Sequence, residues 1–196
     1  MRRAALLILL ALALPVAAFA NSIDFTNSGG TLAGSNSGMT LSNSTLIAVN
    51  GLGGLGLVTG NLGTVDFSTG ALISGSLQMG GTFAAGGTFT ITGNGTNGIP
   101  NGVIFSGTFS GPVTWTLVTL ANGTHNYTLT GALSGNMGGN GVSVQLTINT
   151  GTGFFTGSTQ VSSGDTNIVV PEPGTLGLLG TGLVGIAGLL RRKFMS

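Results

Sequence analysis

The sequence predicts an all-β protein, with an antiparallel β-sandwich, barrel or solenoid-like domain followed by one C-terminal transmembrane helix. Three observations indicate this fold class. Apolar and small polar residues alternate with a period of two through the middle of the chain, which is typical of half-buried strands. Asn-Gly and Gly-Gly pairs separate these runs and supply the positive φ angles that tight turns need. An uncharged apolar stretch near the C-terminus predicts a membrane helix.

The alternation is clearest between residues 87 and 149. Phe89 and Ile91 lie between threonines, and a similar alternation recurs in four further runs (105–109, 113–117, 127–133 and 142–148). Residues 113–120 and 125–133 flank Ala121-Asn122-Gly123-Thr124, so we predict a hairpin there. A third strand is predicted at 142–149, after a glycine-rich turn. The apolar positions of these strands are expected to face a core.

Two features of the middle are less regular. Residues 51–63 contain six glycines and four leucines, and the pattern leaves open whether they form a loop or an irregular strand. Gly-Thr-Phe recurs at 81–83, 87–89 and 107–109, but the spacings are unequal, so no strict repeat is predicted. The middle shows no convincing 3.6-residue period, and its glycines would weaken a helix.

The first twenty residues have the three parts of a secretory signal peptide. Arg2 and Arg3 form a basic start, and residues 4–14 are apolar. Ala18-Phe19-Ala20 then places small residues at the positions that a signal peptidase reads. Cleavage after Ala20 makes Asn21 the first residue of the mature chain. We therefore assign residues 1–20 to a signal peptide and signal peptidase as a partner.

The last 27 residues combine a polar motif, an apolar stretch and a basic end. The motif is Val170-Pro171-Glu172-Pro173-Gly174-Thr175, residues 175–190 carry no charge, and Arg191-Arg192-Lys193 follow. As a helix the apolar stretch reaches roughly 24 Å, which is short of the hydrocarbon core of a bilayer. The basic residues are expected to stop transfer and stay on the cytoplasmic side. The two prolines keep the motif extended, as a processing enzyme requires.

Together the two ends resemble the PEP-CTERM family of bacterial surface and secreted proteins. The resemblance is carried by Val170-Pro171-Glu172-Pro173, the apolar stretch and Arg191-Arg192-Lys193. It implies that exosortase, an integral-membrane cysteine protease or transpeptidase-like enzyme, recognises the motif and releases or transfers the ectodomain. It also implies a transient inner-membrane intermediate. The final location would be the exopolysaccharide-rich cell surface or extracellular matrix of a Gram-negative bacterium.

This interpretation divides the chain into three parts. Residues 1–20 are the signal peptide, residues 21–169 form a Gly/Ser/Thr/Asn-rich β ectodomain, and residues 170–196 form the sorting signal. The sorting signal comprises the motif at 170–175, the transmembrane helix at 175–190 and the basic tail at 191–196.

The ectodomain is nearly uncharged, which excludes several functions. Every Lys and Arg lies in the terminal signals, and three Asp residues are the only charges of residues 21–169 besides His125. Nucleic-acid binding needs Lys and Arg to replace counterions, so we exclude nucleic acid as a partner. The chain has no cysteine, so neither a disulfide framework nor thiol catalysis is available. No cofactor is predicted.

Catalysis requires converging ionisable groups, and Asp24, Asp66, His125 and Asp165 are the whole supply in the ectodomain. His125 follows the predicted turn and is expected to be exposed. Asp24 and Asp66 each occupy the outward position of a Val/Ile-Asp-Phe triplet. They could bind a cation only if their strands were adjacent, and solvated carboxylates are the favoured interpretation. Asp165 lies in a Ser-Gly-Asp turn, where a calcium site is the less favoured alternative. We therefore expect no catalytic residue, no metal site and no enzymatic activity.

Two function classes fit these features, whereas a third, an outer-membrane barrel, is disfavoured because the strands carry few aromatic residues for girdles and the tail supplies its own membrane segment. The favoured one is an exported structural protein of the surface or extracellular matrix, delivered by the C-terminal signal. The alternative is a carbohydrate-binding adhesin of the exopolysaccharide or biofilm matrix that uses its Thr- and Asn-rich strand faces. Trp115 and Tyr127 fall on inward faces, so core packing is favoured over a platform for stacking sugars. The hairpin at 122–127 is where ligand contact is expected first.

Overall fold

The computed structural model describes residues 21–137 and 141–170. These residues form thirteen strands and one short 3-10 turn at Leu52–Gly54. The strands are β1 (Asn21–Ser28), β2 (Thr31–Ser35), β3 (Gly38–Asn50), β4 (Val58–Ser68), β5 (Leu72–Ser76), β6 (Gly80–Phe83), β7 (Gly86–Asn94), β8 (Asn101–Phe109), β9 (Val113–Thr119), β10 (His125–Gly135), β11 (Val142–Asn149), β12 (Ser158–Gln160) and β13 (Ser163–Val170). Ser22–Val170 forms one compact unit.

The strands pair into one sheet that closes on itself. From β11 the hydrogen-bonded order is β13, β1, β3, β4, β7, β8 and β10, and β10 pairs again with β11 along residues 126–133. Every pairing whose register is described is antiparallel. The predicted all-β antiparallel domain is therefore confirmed. Of the three architectures that the sequence left open, the closed circuit corresponds to the barrel.

The remaining strands extend the sheet where long strands bend. β10 pairs with β9 along residues 125–130 and with β8 along residues 133–135, so β8 and β9 follow the same edge of β10 in succession. Pro112 lies in the break between β8 and β9. It has no N–H to donate to a ladder, so the chain changes partner there. β6 and β5 continue outward from β9, whereas β2 pairs with β3 and β12.

One cluster of buried apolar side chains fills the interior. Phe67, Phe89 and Phe109 lie with their ring centroids 5.8–6.2 Å apart. Trp115 stacks on Tyr127 with a centroid distance of 4.9 Å, and Phe155 packs edge-on against Trp115. Such aromatic pairs contribute about 0.5–1.5 kcal/mol each beyond their buried area. A chain with few aromatic residues thus still obtains a specifically packed core.

Glycine lets neighbouring strands approach closely at one point of the sheet. Gly63 on β4 lies opposite Gly93 on β7 and has a φ of +147°. A Cβ atom at Gly63 would lie 1.9 Å from the backbone oxygen of Thr92. Gly53, with a φ of +59°, has no atom within 4 Å of such a Cβ. The glycine content therefore reflects backbone packing within the sheet as well as turns.

The local predictions agree closely with the strands. The predicted hairpin corresponds to β9 and β10, and the predicted strand at 142–149 is β11. The ambiguous segment 51–63 divides into the 3-10 turn and the first half of β4. Within residues 21–137 and 141–170, no helix is long and apolar enough to cross a membrane. The predicted transmembrane helix, 175–190, lies outside the described residues.

Candidate functional site

The first and last strands of the domain are neighbours. β13 lies between β11 and β1 in the sheet. The Oγ1 of Thr26 donates a hydrogen bond of 2.9 Å to Oδ1 of Asp165, and the side-chain amide of Asn167 donates to Oδ1 of Asp24. From Thr26 to Asp24 the chain moves back along β1, and from Asp165 to Asn167 it moves forward along β13 by the same two residues. This is the pattern of an antiparallel pair. The first residue of β1 and the last residue of β13 therefore lie at the same end of the sheet.

The fold extends up to the edge of the predicted sorting motif. Ile168 is fully buried, and the N–H of Val169 donates to the carbonyl of Gly141 at 3.2 Å. Val170, the first residue of the motif, is the last residue of β13. Pro171 follows, and proline cannot donate to a ladder. β13 therefore ends at the first residue of the predicted motif.

The other predicted residues of the terminal signals lie outside the described residues. These are Ala18 and Ala20 of the signal-peptidase site, residues 171–175 of the motif, and Arg191, Arg192 and Lys193 of the membrane stop. Asn21, which is predicted to begin the mature chain, is the first residue of β1. Both predicted processing sites thus adjoin the two ends of one folded unit.

Comparison with known proteins identifies the tail. Residues 169–193 match the family model of the PEP-CTERM protein-sorting motif. The match begins within β13 and includes the predicted motif, the apolar stretch and the basic residues. No curated protein and no solved structure is similar enough to the chain to count as a match. The PEP-CTERM tail implies export, exosortase as processing partner and a surface or extracellular location.

The structure separates Asp24 and Asp66, the two carboxylates that could bind a cation together only on adjacent strands. Asp24 is on β1 and Asp66 is on β4, and β3 lies between these strands. The condition for a shared cation site, adjacent strands, is therefore not met. Oδ1 of Asp66 instead accepts a hydrogen bond of 2.7 Å from the backbone N–H of Asn43. The described residues contain no group of three His, Cys, Asp or Glu side chains that could hold a metal ion.

The expectation that His125 is exposed is wrong. Its side chain is 8% exposed and stacks on Phe154 with a centroid distance of 4.4 Å. The His125 backbone N–H donates to the carbonyl of Gly151 at 2.7 Å, and its Nδ1 lies 3.2 Å from the Gly153 oxygen. The chain after β11 therefore covers the start of β10. No local sequence signal indicates this contact, because the covering segment is about 25 residues away.

Trp115 and Tyr127 pack in the core, as predicted. Nε1 of Trp115 donates to the carbonyl of Leu77 at 2.8 Å, and the Tyr127 hydroxyl donates to the carbonyl of Gln78 at 2.7 Å. The same hydroxyl accepts the N–H of Phe155 at 3.1 Å. Both rings are at most 1% exposed, so neither can stack on a sugar. The turn at 122–127, where ligand contact is expected first, therefore offers no exposed aromatic ring from Tyr127. Trp115 on the neighbouring strand β9 offers none either.

The prediction that Asp165 lies in a turn is wrong, because Ser163–Val170 form β13 and Asp165 pairs with Gln145 of β11. Asp165 and Asn167 open onto a groove on the outer face of β9, β10, β11 and β13. The groove has a volume of about 570 Å³ and is open to solvent, and we call it the outer groove. It is lined by Pro112, Thr114, Thr130, Gly131, Ala132, Ser143, Val144, Gln145, Asp165 and Asn167. Cross-strand pairing aligns these side chains, since Thr130 faces Gln145 and Gln145 faces Asp165. The outer groove could not be predicted from the sequence. The alternation shows which residues point outward, but it does not show that β13 pairs with β11.

Proposed function

We propose that the chain is an exported, non-enzymatic structural protein of the surface or extracellular matrix of a Gram-negative bacterium, sorted by exosortase through its C-terminal signal. The match of residues 169–193 to the PEP-CTERM motif carries the export and sorting part of this proposal. Signal peptidase removes residues 1–20, and the apolar stretch holds the intermediate briefly in the inner membrane. Exosortase then acts on the motif at 170–175.

The position of the motif relative to the fold supports this order of events. β13 ends at Val170, and the two prolines that follow keep the next residues free of regular hydrogen bonding. A protease binds its substrate as an extended backbone, and the proline-flanked motif follows directly on the last described residue of β13 in the sequence. Glu172 also offers the enzyme a negative charge to recognise, whereas the ectodomain has few charges.

The absence of catalysis is part of the proposal and is supported by the placement of the ionisable groups. His125 is covered by Phe154, and Asp66 is bonded to the backbone of Asn43. Asp24 and Asp165 bond to Asn167 and Thr26 on the neighbouring strand. These groups thus have structural partners, and none forms a nucleophile–base pair of the kind that catalysis uses.

Replacing Pro171-Glu172-Pro173 by three alanines tests the sorting signal. We expect the variant to remain as a membrane-associated precursor that retains its C-terminal segment, measured by mass spectrometry of the intact protein in membrane and extracellular fractions. The single variant Glu172→Gln keeps both prolines and therefore the extended backbone, so it separates the contribution of the charge. A host without exosortase should accumulate the same precursor from the wild-type gene. Loss of the tail from the triple variant at the wild-type rate would refute recognition through this motif.

A second candidate function is the carbohydrate-binding adhesin. The observation that favours it is the outer groove, whose lining combines hydroxyl, amide and carboxylate side chains with small apolar ones. Its volume lies within the range of typical ligand sites, about 300–1,000 Å³, but it is open to solvent and could contact only one side of a ligand. Export and sorting would deliver such an adhesin to the same location as a structural protein.

A further inference from the structure

We propose that the outer groove binds a neutral glycan chain, with Asp165 selecting against acidic glycans. This inference rests on the adhesin candidate and names its ligand class and its contact residues. It is independent of whether exosortase processes the tail.

The side chains of the outer groove match the chemistry of sugar hydroxyls. The hydroxyls of Thr114, Thr130 and Ser143 can each donate and accept a hydrogen bond, and so can the side-chain amide of Gln145. The amide of Asn167 donates to Asp24 and keeps its oxygen as an acceptor. The carboxylate of Asp165 accepts one bond from Thr26 and keeps further acceptor capacity towards the groove. A sugar ring presents hydroxyls that both donate and accept, so it can pair with all of these groups.

The shape of the outer groove follows from its small residues. Ala132 on β10 lies opposite Ser143 on β11, and both residues are exposed. Their short side chains leave room on the outer face, and Thr130, Gln145 and Pro112 also line the groove. A flat ring can therefore approach the sheet closely enough for its hydroxyls to reach the polar side chains.

Strand pairing argues against a peptide as the occupant. An extended peptide binds by adding to a free strand edge, where unpaired N–H and C=O groups are available. β10 and β11 line the groove, and each is paired on both sides, β11 with β10 and β13, and β10 with β11 and β9. The groove therefore recognises its ligand through side chains alone.

The charge of the groove indicates a neutral ligand. Asp165 lies in the lining, and Asp24 is bonded to Asn167 in the same lining. Residues 21–170 contain no Lys or Arg, so nothing in the domain compensates a uronate or sulfate group. An acidic glycan would place like charges together in the groove, which is unfavourable. Since no aromatic ring lines the groove, binding per site is expected to be weak, with a Kd on the order of 1 mM.

Binding is tested with the full chain, solubilised in a zwitterionic detergent that has no sugar headgroup to compete. The probes are immobilised dextran, mannan and galactan as neutral glycans and alginate as the acidic one. We expect binding to at least one neutral glycan, increasing with immobilised density, and none to alginate. Because unprocessed protein is used, a failure of exosortase sorting would leave this result unchanged.

Two variants locate the binding site. Ser143→Tyr fills the outer groove and should weaken binding by about tenfold or more, a loss of roughly 1.4 kcal/mol or greater. Ser106→Tyr is the matched control, because Ser106 is an exposed serine of β8 that does not line the groove. It should bind like the wild type. Far-UV circular dichroism checks that both variants fold.

A third variant tests the role of charge without changing shape. Asp165→Asn retains an acceptor for the Thr26 hydroxyl and should raise the ratio of alginate to neutral-glycan binding. If Ser143→Tyr does not fold, Asp165→Asn still tests whether the glycan binds in the outer groove. The proposal is overturned if the wild type binds none of the three neutral glycans or binds alginate equally well. It is also overturned if the two tyrosine variants behave alike, or if Asp165→Asn leaves the ratio unchanged.

Discussion

Replacing Gly63 by alanine should lower the free energy of unfolding of the domain by more than backbone strain alone would. The residue has a φ of +147°, which L-residues with a side chain rarely adopt, and this strain costs about 1–3 kcal/mol. The added Cβ would also lie 1.9 Å from the backbone oxygen of Thr92, so β4 and β7 would have to separate locally. Losing one or two ladder hydrogen bonds adds about 0.5–1.5 kcal/mol each. These terms add up to about 1.5–6 kcal/mol, and we expect a loss near the middle of this range, about 3–4 kcal/mol.

Urea unfolding measures this loss directly. Trp115 is the only tryptophan of the chain and is 1% exposed, so its fluorescence reports unfolding of the core. With an m-value of about 2 kcal/mol/M, the midpoint should fall by roughly 1.5–2 M urea. The free energy of unfolding of ordinary domains is about 5–15 kcal/mol, so the variant should still fold or be only marginally stable.

Gly53→Ala is the matched control for the contact. Its φ of +59° is also positive, but an added Cβ meets nothing within 4 Å. Strain of about 1 kcal/mol is partly offset by the lower entropy of the unfolded alanine chain, so the midpoint should fall by less than about 0.5 M. If Gly63→Ala lost no more stability than Gly53→Ala, the close approach of β4 and β7 would not be real.

Three further predictions concern the chain ends and the core. Signal-peptide removal should leave Asn21 as the first residue, and N-terminal sequencing that returned Met1 or a start beyond about residue 28 would contradict it. A fragment of residues 21–170 should fold alone with a β-type far-UV circular dichroism spectrum, because both of its terminal strands lie inside the closed sheet; a helical or random-coil spectrum would count against this. Tyr127→Phe should cost about 1–3 kcal/mol in urea unfolding followed by Trp115 fluorescence, because it leaves the buried N–H of Phe155 unpaired. An unchanged midpoint would show that this N–H finds another partner.

Local patterns in the sequence predicted the strands whose partners are close in the chain. β9 and β10 are joined by Asn122-Gly123, and their apolar alternation sets the buried face, so the hairpin could be predicted with its inward residues. β11 could be predicted for the same reason. In each case the information lies within one turn and two flanking runs.

Closure of the sheet could not be predicted in this way. β13 pairs with β1, although the two strands are about 140 residues apart, and β4 pairs with β7 across the β5–β6 hairpin. Alternation gives the face that each strand buries but not its neighbour. The outer groove and the burial of His125 depend on such distant contacts, and for that reason sequence reasoning missed the first and misjudged the second.

The point where β13 ends also limits where a protease can cut. Residues up to Val169 are held by the sheet, and the apolar stretch begins at Thr175, so five residues lie between them in the sequence. Fully extended, five residues span at most about 18 Å. A cut on the upstream side would require β13 to leave its place between β11 and β1, which would open the closed sheet. If exosortase cuts within the motif, the fold of β13 would therefore confine the new C-terminus to the few residues that follow Val169.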